Sequence, residues 1–80
     1  MFLAIDIGNL TICIGLFKDK ELLNSQRIPN NEIFDIKTYL PQKKIDNVII
    51  SSVVPAKNEV FTYVIKGFYK LSPKIGRAHV

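Results

Sequence analysis

The chain has 80 residues, of which 48% are apolar, and a formal net charge of +4. That length permits one small domain at most; a domain of such size buries only about two thirds of its surface, so apolar surface is expected to stay exposed, as on a lobe cut from a larger protein. No apolar run approaches the roughly 18 residues of a membrane span, no basic leader precedes the first strand, and the lysines are dispersed, which points to a cytoplasmic protein that binds neither membrane nor nucleic acid.

In chain order, Phe2 to Ile7, Thr11 to Lys18 and Glu21 to Ile28 are rich in strand-forming residues and predict a meander, turned at Gly8-Asn9 and again at Asp19-Lys20. Cys13, the single cysteine, lies in the second strand and is expected to be a buried small residue, not a nucleophile. One cysteine excludes an internal disulfide and a cysteine-based zinc site. Asn30-Asn31 offers a helix cap, and Ile33, Phe34, Ile36, Tyr39 and Leu40 form a helical stripe that stops at Pro41. A strand from Asn47 to Ser52 follows, reached through that helix and so expected to run parallel to the first. Phe61, Val64, Ile65, Phe68 and Tyr69 then recur at helical spacing and predict a helix from about Pro55 to Lys70.

Two segments carry chemistry. In Ile5 to Gly15, IDIGNLTICIG, a carboxylate and a Gly-Asn pair stand between two strands. An ordinary hairpin turns this way, but the same residues suit a phosphate clamp. Gly8 lets backbone approach a ligand, the amides from Gly8 to Thr11 are suited to an anion nest, and Asp6 is suited to a cation or its water shell. The second segment is Asp46 to Val54, DNVIISSVV, followed by Pro55. One of Ser51 and Ser52 is expected to cap the following helix, and the same junction suits the rim of a nucleotide cleft, because ligands gather at the carboxyl ends of parallel strands.

Together, MFLAIDIGN with IGLF and the later IDNVIISSVVP resemble the type III pantothenate kinase family over Met1 to about Ile75. That resemblance implies a βββαβα partial lobe of the actin-like ATPase (ribonuclease H-like) fold, an α/β mixed sheet with helices. It implies ATP-dependent phosphorylation of pantothenate, the first step toward coenzyme A, with Mg2+ and a monovalent cation, potassium or ammonium, in a protein that is a homodimer at full length. Carried onto this chain, the nucleotide-binding loop falls on Asp6, Ile7, Gly8, Asn9, Leu10, Thr11, Ile12 and Cys13, with Asp6 the metal residue. No catalytic base is assigned within the chain, since the family's acidic base and pantothenate pocket are expected beyond Val80. Leu10 stands where the family has Thr. A hydroxyl is lost there, and Thr11 is expected to supply one only if the hairpin register shifts, because adjacent strand residues face opposite sides.

Residues 1–74 are thus expected to be an incomplete nucleotide-binding lobe. A further strand starts at Lys74-Ile75 and is expected to break at Gly76. Ile75 to Val80, IGRAHV, resembles the translation of a common short-read sequencing adapter and is expected to be foreign, so His79 is given no role. Two other readings remain open: a non-catalytic regulatory or accessory protein of the same fold, and a β-rich binding module in which Gly8-Asn9 is only a turn.

Overall fold

The computed structural model describes residues 1–30 and 36–77, the last of these by its backbone only. Strands β1 (Phe2–Ile7), β2 (Thr11–Lys18) and β3 (Glu21–Pro29) form the expected meander. Helix α1 (Ile36–Tyr39) leads to β4 (Asn47–Ser52), and a 3-10 turn (Pro55–Lys57) leads into α2 (Asn58–Tyr69) and β5 (Lys74–Arg77). The sheet order is β3-β2-β1-β4-β5. β1 pairs antiparallel with β2 and parallel with β4, and β4 pairs parallel with β5, which makes the mixed α/β sheet that the sequence predicts.

β1 occupies the middle of the sheet, bonded on both edges, and its alternation sorts its side chains between the two faces. Leu3, Ile5 and Ile7 are buried, while Phe2, Ala4 and Asp6 face the other way. The buried positions of β2 and β4, namely Ile12, Ile14, Leu16, Val48 and Ile50, extend the same inner face. Ile36, Leu40, Phe61 and Ile65 complete one core with it. The stripe predicted for α2 holds, with Val64, Phe68 and Tyr69 packed against that core. Of the stripe predicted there, α1 holds Ile36 and Tyr39, and Leu40 packs in the core just beyond its end; Asn31, Ile33 and Phe34 lie outside the described residues.

The start of the sheet is tied by charge. The Met1 ammonium donates to Asp46 Oδ2 at 2.6 Å, and the Asp46 amide donates to the Met1 carbonyl at 2.7 Å. The ammonium's hydrogen bond, and then its charge, hold the Asp46 carboxyl below the usual carboxylate range. Apolar surface does remain exposed, as at Ile49, Tyr63 and Ile75.

Two expectations are corrected. The strand at the chain's end does not break at Gly76: β5 runs on to Arg77, with Ser51 opposite Gly76 and Ser52 opposite Arg77. A ladder is made by backbone groups, so a glycine at a sheet edge weakens it without interrupting it. Nor do the serines cap α2, whose cap residue is Lys57 with no side-chain hydrogen bond. Ser52 Oγ accepts from the Val54 amide at 3.0 Å and donates to the Val54 carbonyl, so the hydroxyl is spent on the turn that precedes the helix.

Phe61 is fully buried in α2. Phe61→Ala is therefore expected to lower stability by about 3–5 kcal/mol, measured by urea denaturation. Tyr69 donates its hydroxyl to the Pro41 carbonyl at 2.8 Å, and burial pushes its phenol up from 10.0 to about 12. A folded pKa raised above the unfolded one contributes stability that is present below pH 10.0 and is lost as pH rises toward about 12. Alkaline denaturation curves should show that loss in the native chain and a flatter profile in Tyr69→Phe.

Candidate functional site

β1 and β4 are parallel and end side by side at Ile7 and Ser52. This is the carboxyl edge of the sheet, where ligands of open α/β folds collect. The β1-β2 turn closes at the same edge, and the Val53 amide donates to the Ile7 carbonyl at 3.0 Å, which draws the β4-α2 junction against it.

The eight residues predicted for the site divide by strand alternation. Asp6 is exposed on the outer face, with Cys13 opposite it on β2 and Ser51 opposite it on β4. Thr11 is exposed and lies on the same face two residues before Cys13. Ile7 and Ile12 are fully buried on the inner face, so only their backbone is available to a ligand. Gly8, Asn9 and Leu10 make the turn, and Leu10 is 83% exposed. The structure thus brings Asp6, Thr11, Cys13 and Ser51 to one face beside the turn and turns Ile7 and Ile12 away from it.

Four expectations change here. The Gly8 amide donates to the Thr11 carbonyl at 2.9 Å, so Asn9 and Leu10 are the central turn residues, one step beyond the Gly8-Asn9 pair expected. That bond also removes the Gly8 amide from the nest, leaving the amides of Asn9, Leu10 and Thr11. Thr11 shares the face of Asp6 with no shift of register, because β2 presents Thr11, Cys13 and Gly15 outward and Ile12 and Ile14 inward. Cys13 is half-buried on this outer face and is not a core residue, for the same reason.

Gly8 does not serve through a left-handed conformation, since no described glycine has positive φ. It serves through close approach: a Cβ at this position would meet the Thr11 carbonyl oxygen at 3.1 Å.

Two residues that the sequence reading does not assign to the site join it: Asn30, marked only as a helix cap, and Lys57. The Asn30 side chain donates to the Gly8 carbonyl, and to the Asn9 carbonyl at 3.3 Å. It holds the hairpin where a helix cap was expected; its Oδ1, the atom a cap would use, has no partner among the described residues. Lys57 Nζ donates to the Asn30 carbonyl at 3.2 Å. Their signal is tertiary, since Asn30 reaches the turn, and Lys57 reaches Asn30, from distant points of the chain.

Chemically, the edge offers a carboxylate, the hydroxyls of Thr11 and Ser51, a thiol and a set of backbone donors beside a tight turn. Among the described residues no group of three or more His, Cys, Asp or Glu side chains gathers into a metal site. Asp6 alone suits a Mg2+ ion that takes most of its ligands from water and phosphate, the usual mode for this ion.

Gly8→Ala is expected to cost about 1–3 kcal/mol, because two backbone segments must part to admit the methyl group. Chemical denaturation of the two proteins compares them directly.

The family model described as type III pantothenate kinase matches residues 2–79. A protein of Borreliella burgdorferi named type III pantothenate kinase is 35% identical over 77 residues, which cover 89% of this chain and 29% of the relative. Proteins of the same name from Borreliella afzelii and Borrelia garinii subsp. bavariensis are 35% and 31% identical over the same length. The chain spans 29% to 30% of the length of these curated relatives. Its sheet is consistent with the N-terminal lobe of the actin-like ATPase fold, and the chain belongs to the type III pantothenate kinase family.

Proposed function

We propose that this chain supplies the phosphate-binding part of an enzyme that transfers a phosphoryl group from ATP to pantothenate, the first step toward coenzyme A. The observation that carries the proposal is the placement of Asp6 beside the Gly8–Thr11 turn at the carboxyl edge of β1 and β4, in a chain matched by the family model from residue 2 to 79. In this reading the amides of Asn9, Leu10 and Thr11 hold phosphate oxygens, and Asp6 holds Mg2+ through its water shell. The metal, when bound, neutralises charge on the phosphates. Phosphoryl transfer depends chiefly on positioning and on neutralising charge, which a turn of backbone donors and one carboxylate are suited to provide.

Asp6 is then a metal and phosphate residue and not the general base. The base, the pantothenate pocket and a potassium or ammonium site are assigned to the remaining length of a protein like the relatives. The resemblance supports a cytoplasmic homodimer, and no described helix is long and apolar enough to cross a membrane.

Asp6→Asn in the full-length protein is expected to weaken Mg2+-dependent ATP affinity by roughly tenfold or more, with little change in unfolding stability, because the side chain is exposed and replaced at equal size. Titration calorimetry with and without Mg2+ measures it; equal affinities would sink the assignment of Asp6. The 80-residue chain by itself is expected to give no turnover of pantothenate. Phosphorylated product made by the purified chain alone would contradict the division of labour proposed here.

A further inference from the structure

Asn30 follows β3 and is the one buried polar residue among the described residues, with 7% of its surface exposed. All of its donors are directed at a single stretch of backbone. Its amide donates to the Leu10 carbonyl at 2.9 Å, and its Nδ2 donates to the Gly8 carbonyl and, at 3.3 Å, to the Asn9 carbonyl. Three consecutive carbonyls of the turn therefore face one residue. In a trans peptide the N–H points opposite to the C=O, and no described peptide is cis. Holding the carbonyls of Gly8, Asn9 and Leu10 toward Asn30 turns the N–H groups of Asn9, Leu10 and Thr11 away from it. The Gly8 N–H does not join them, because it is committed to the Thr11 carbonyl. Asn30 is itself fixed from the β4-α2 junction, where Lys57 Nζ donates to its carbonyl at 3.2 Å.

We propose that Asn30 is a positioning residue for phosphate binding: it clamps three turn carbonyls on one side so that the amides of Asn9, Leu10 and Thr11 are presented together to the phosphate chain of a nucleotide. Asn30 touches no ligand in this role. It acts through the backbone, which explains how the site works with Leu10 in the turn, since an amide donor does not depend on the side chain beside it. Preorganised backbone donors bind an anion without the cost of ordering the loop. The inference rests on the hairpin being the nucleotide site.

The test is made on the full-length protein with 15N labelling. ATP with Mg2+ should shift the amide resonances of Asn9, Leu10 and Thr11 together and leave that of Gly8 nearly in place; inorganic tripolyphosphate should reproduce the pattern. Asn30→Ala should weaken ATP affinity roughly tenfold or more and scatter the concerted shifts, with pantothenate affinity retained. A folded Asn30→Ala protein with native ATP affinity and native amide shifts would overturn the role of Asn30 and leave the nucleotide site standing. Failure of the unaltered full-length protein to bind ATP would overturn the nucleotide site and this inference together. Should Asn30→Ala not fold, the unaltered protein decides: concerted shifts at residues 9 to 11 with Gly8 unmoved support the clamp, and ATP binding without them overturns it.

Discussion

Strand β1 is bonded along both edges, to β2 on one side and β4 on the other, and this double pairing constrains everything else in the molecule. A strand held on two sides cannot slip by one residue without moving Leu3, Ile5 and Ile7 out of the core and Asp6 into it. The apolar side chains set the register by what their burial contributes, about 1.5–3 kcal/mol each. Asp6 faces solvent as the consequence. Its neighbours Cys13 and Ser51 follow by register, so a polar row across three strands is produced by packing on the opposite face.

The parallel pairing has a second effect. Because β1 and β4 run in the same direction, the turn after β1 and the junction after β4 emerge at one edge, and backbone and side-chain hydrogen bonds tie them there. Val53 reaches Ile7, Asn30 reaches the turn, and Lys57 reaches Asn30. Segments more than twenty residues apart in sequence thus share one small region. The turn and the junction are short and are tied to each other through Asn30 and Lys57 as well as to the sheet.

Much of the fold was legible in the residues themselves. The strand-forming runs and the turns that bound them give the first, second and fourth strands the ends they have in the structure, and three- and four-residue spacing gives the α2 stripe. Punctuation was less reliable. Gly8-Asn9 looks like the centre of a turn, yet hairpin closure puts Asn9 and Leu10 there, because the Gly8-Thr11 pair extends the β1-β2 ladder by one step. Ser52 looks like a helix cap, yet its hydroxyl finds a partner two residues on, before the helix begins. Asn30 looks like a cap as well, and its side chain is taken instead by carbonyls from a different hairpin. In each case a polar group has several local partners of similar worth, and tertiary proximity chooses among them.

The sequence by itself determined the family, the α/β class, the order of the main elements and the segment where a phosphate would be sought, because these depend on periodicity and on short motifs within a few residues. Only the tertiary structure decided that the Gly8 amide is engaged, that Thr11 shares the face of Asp6, and that Asn30 holds the turn while Lys57 holds Asn30. Those facts depend on which backbone groups the fold has already engaged. Hydrogen-bond partners far apart in the chain leave no pattern in a single sequence, since any donor of the right reach would look the same until packing brings it to its acceptor.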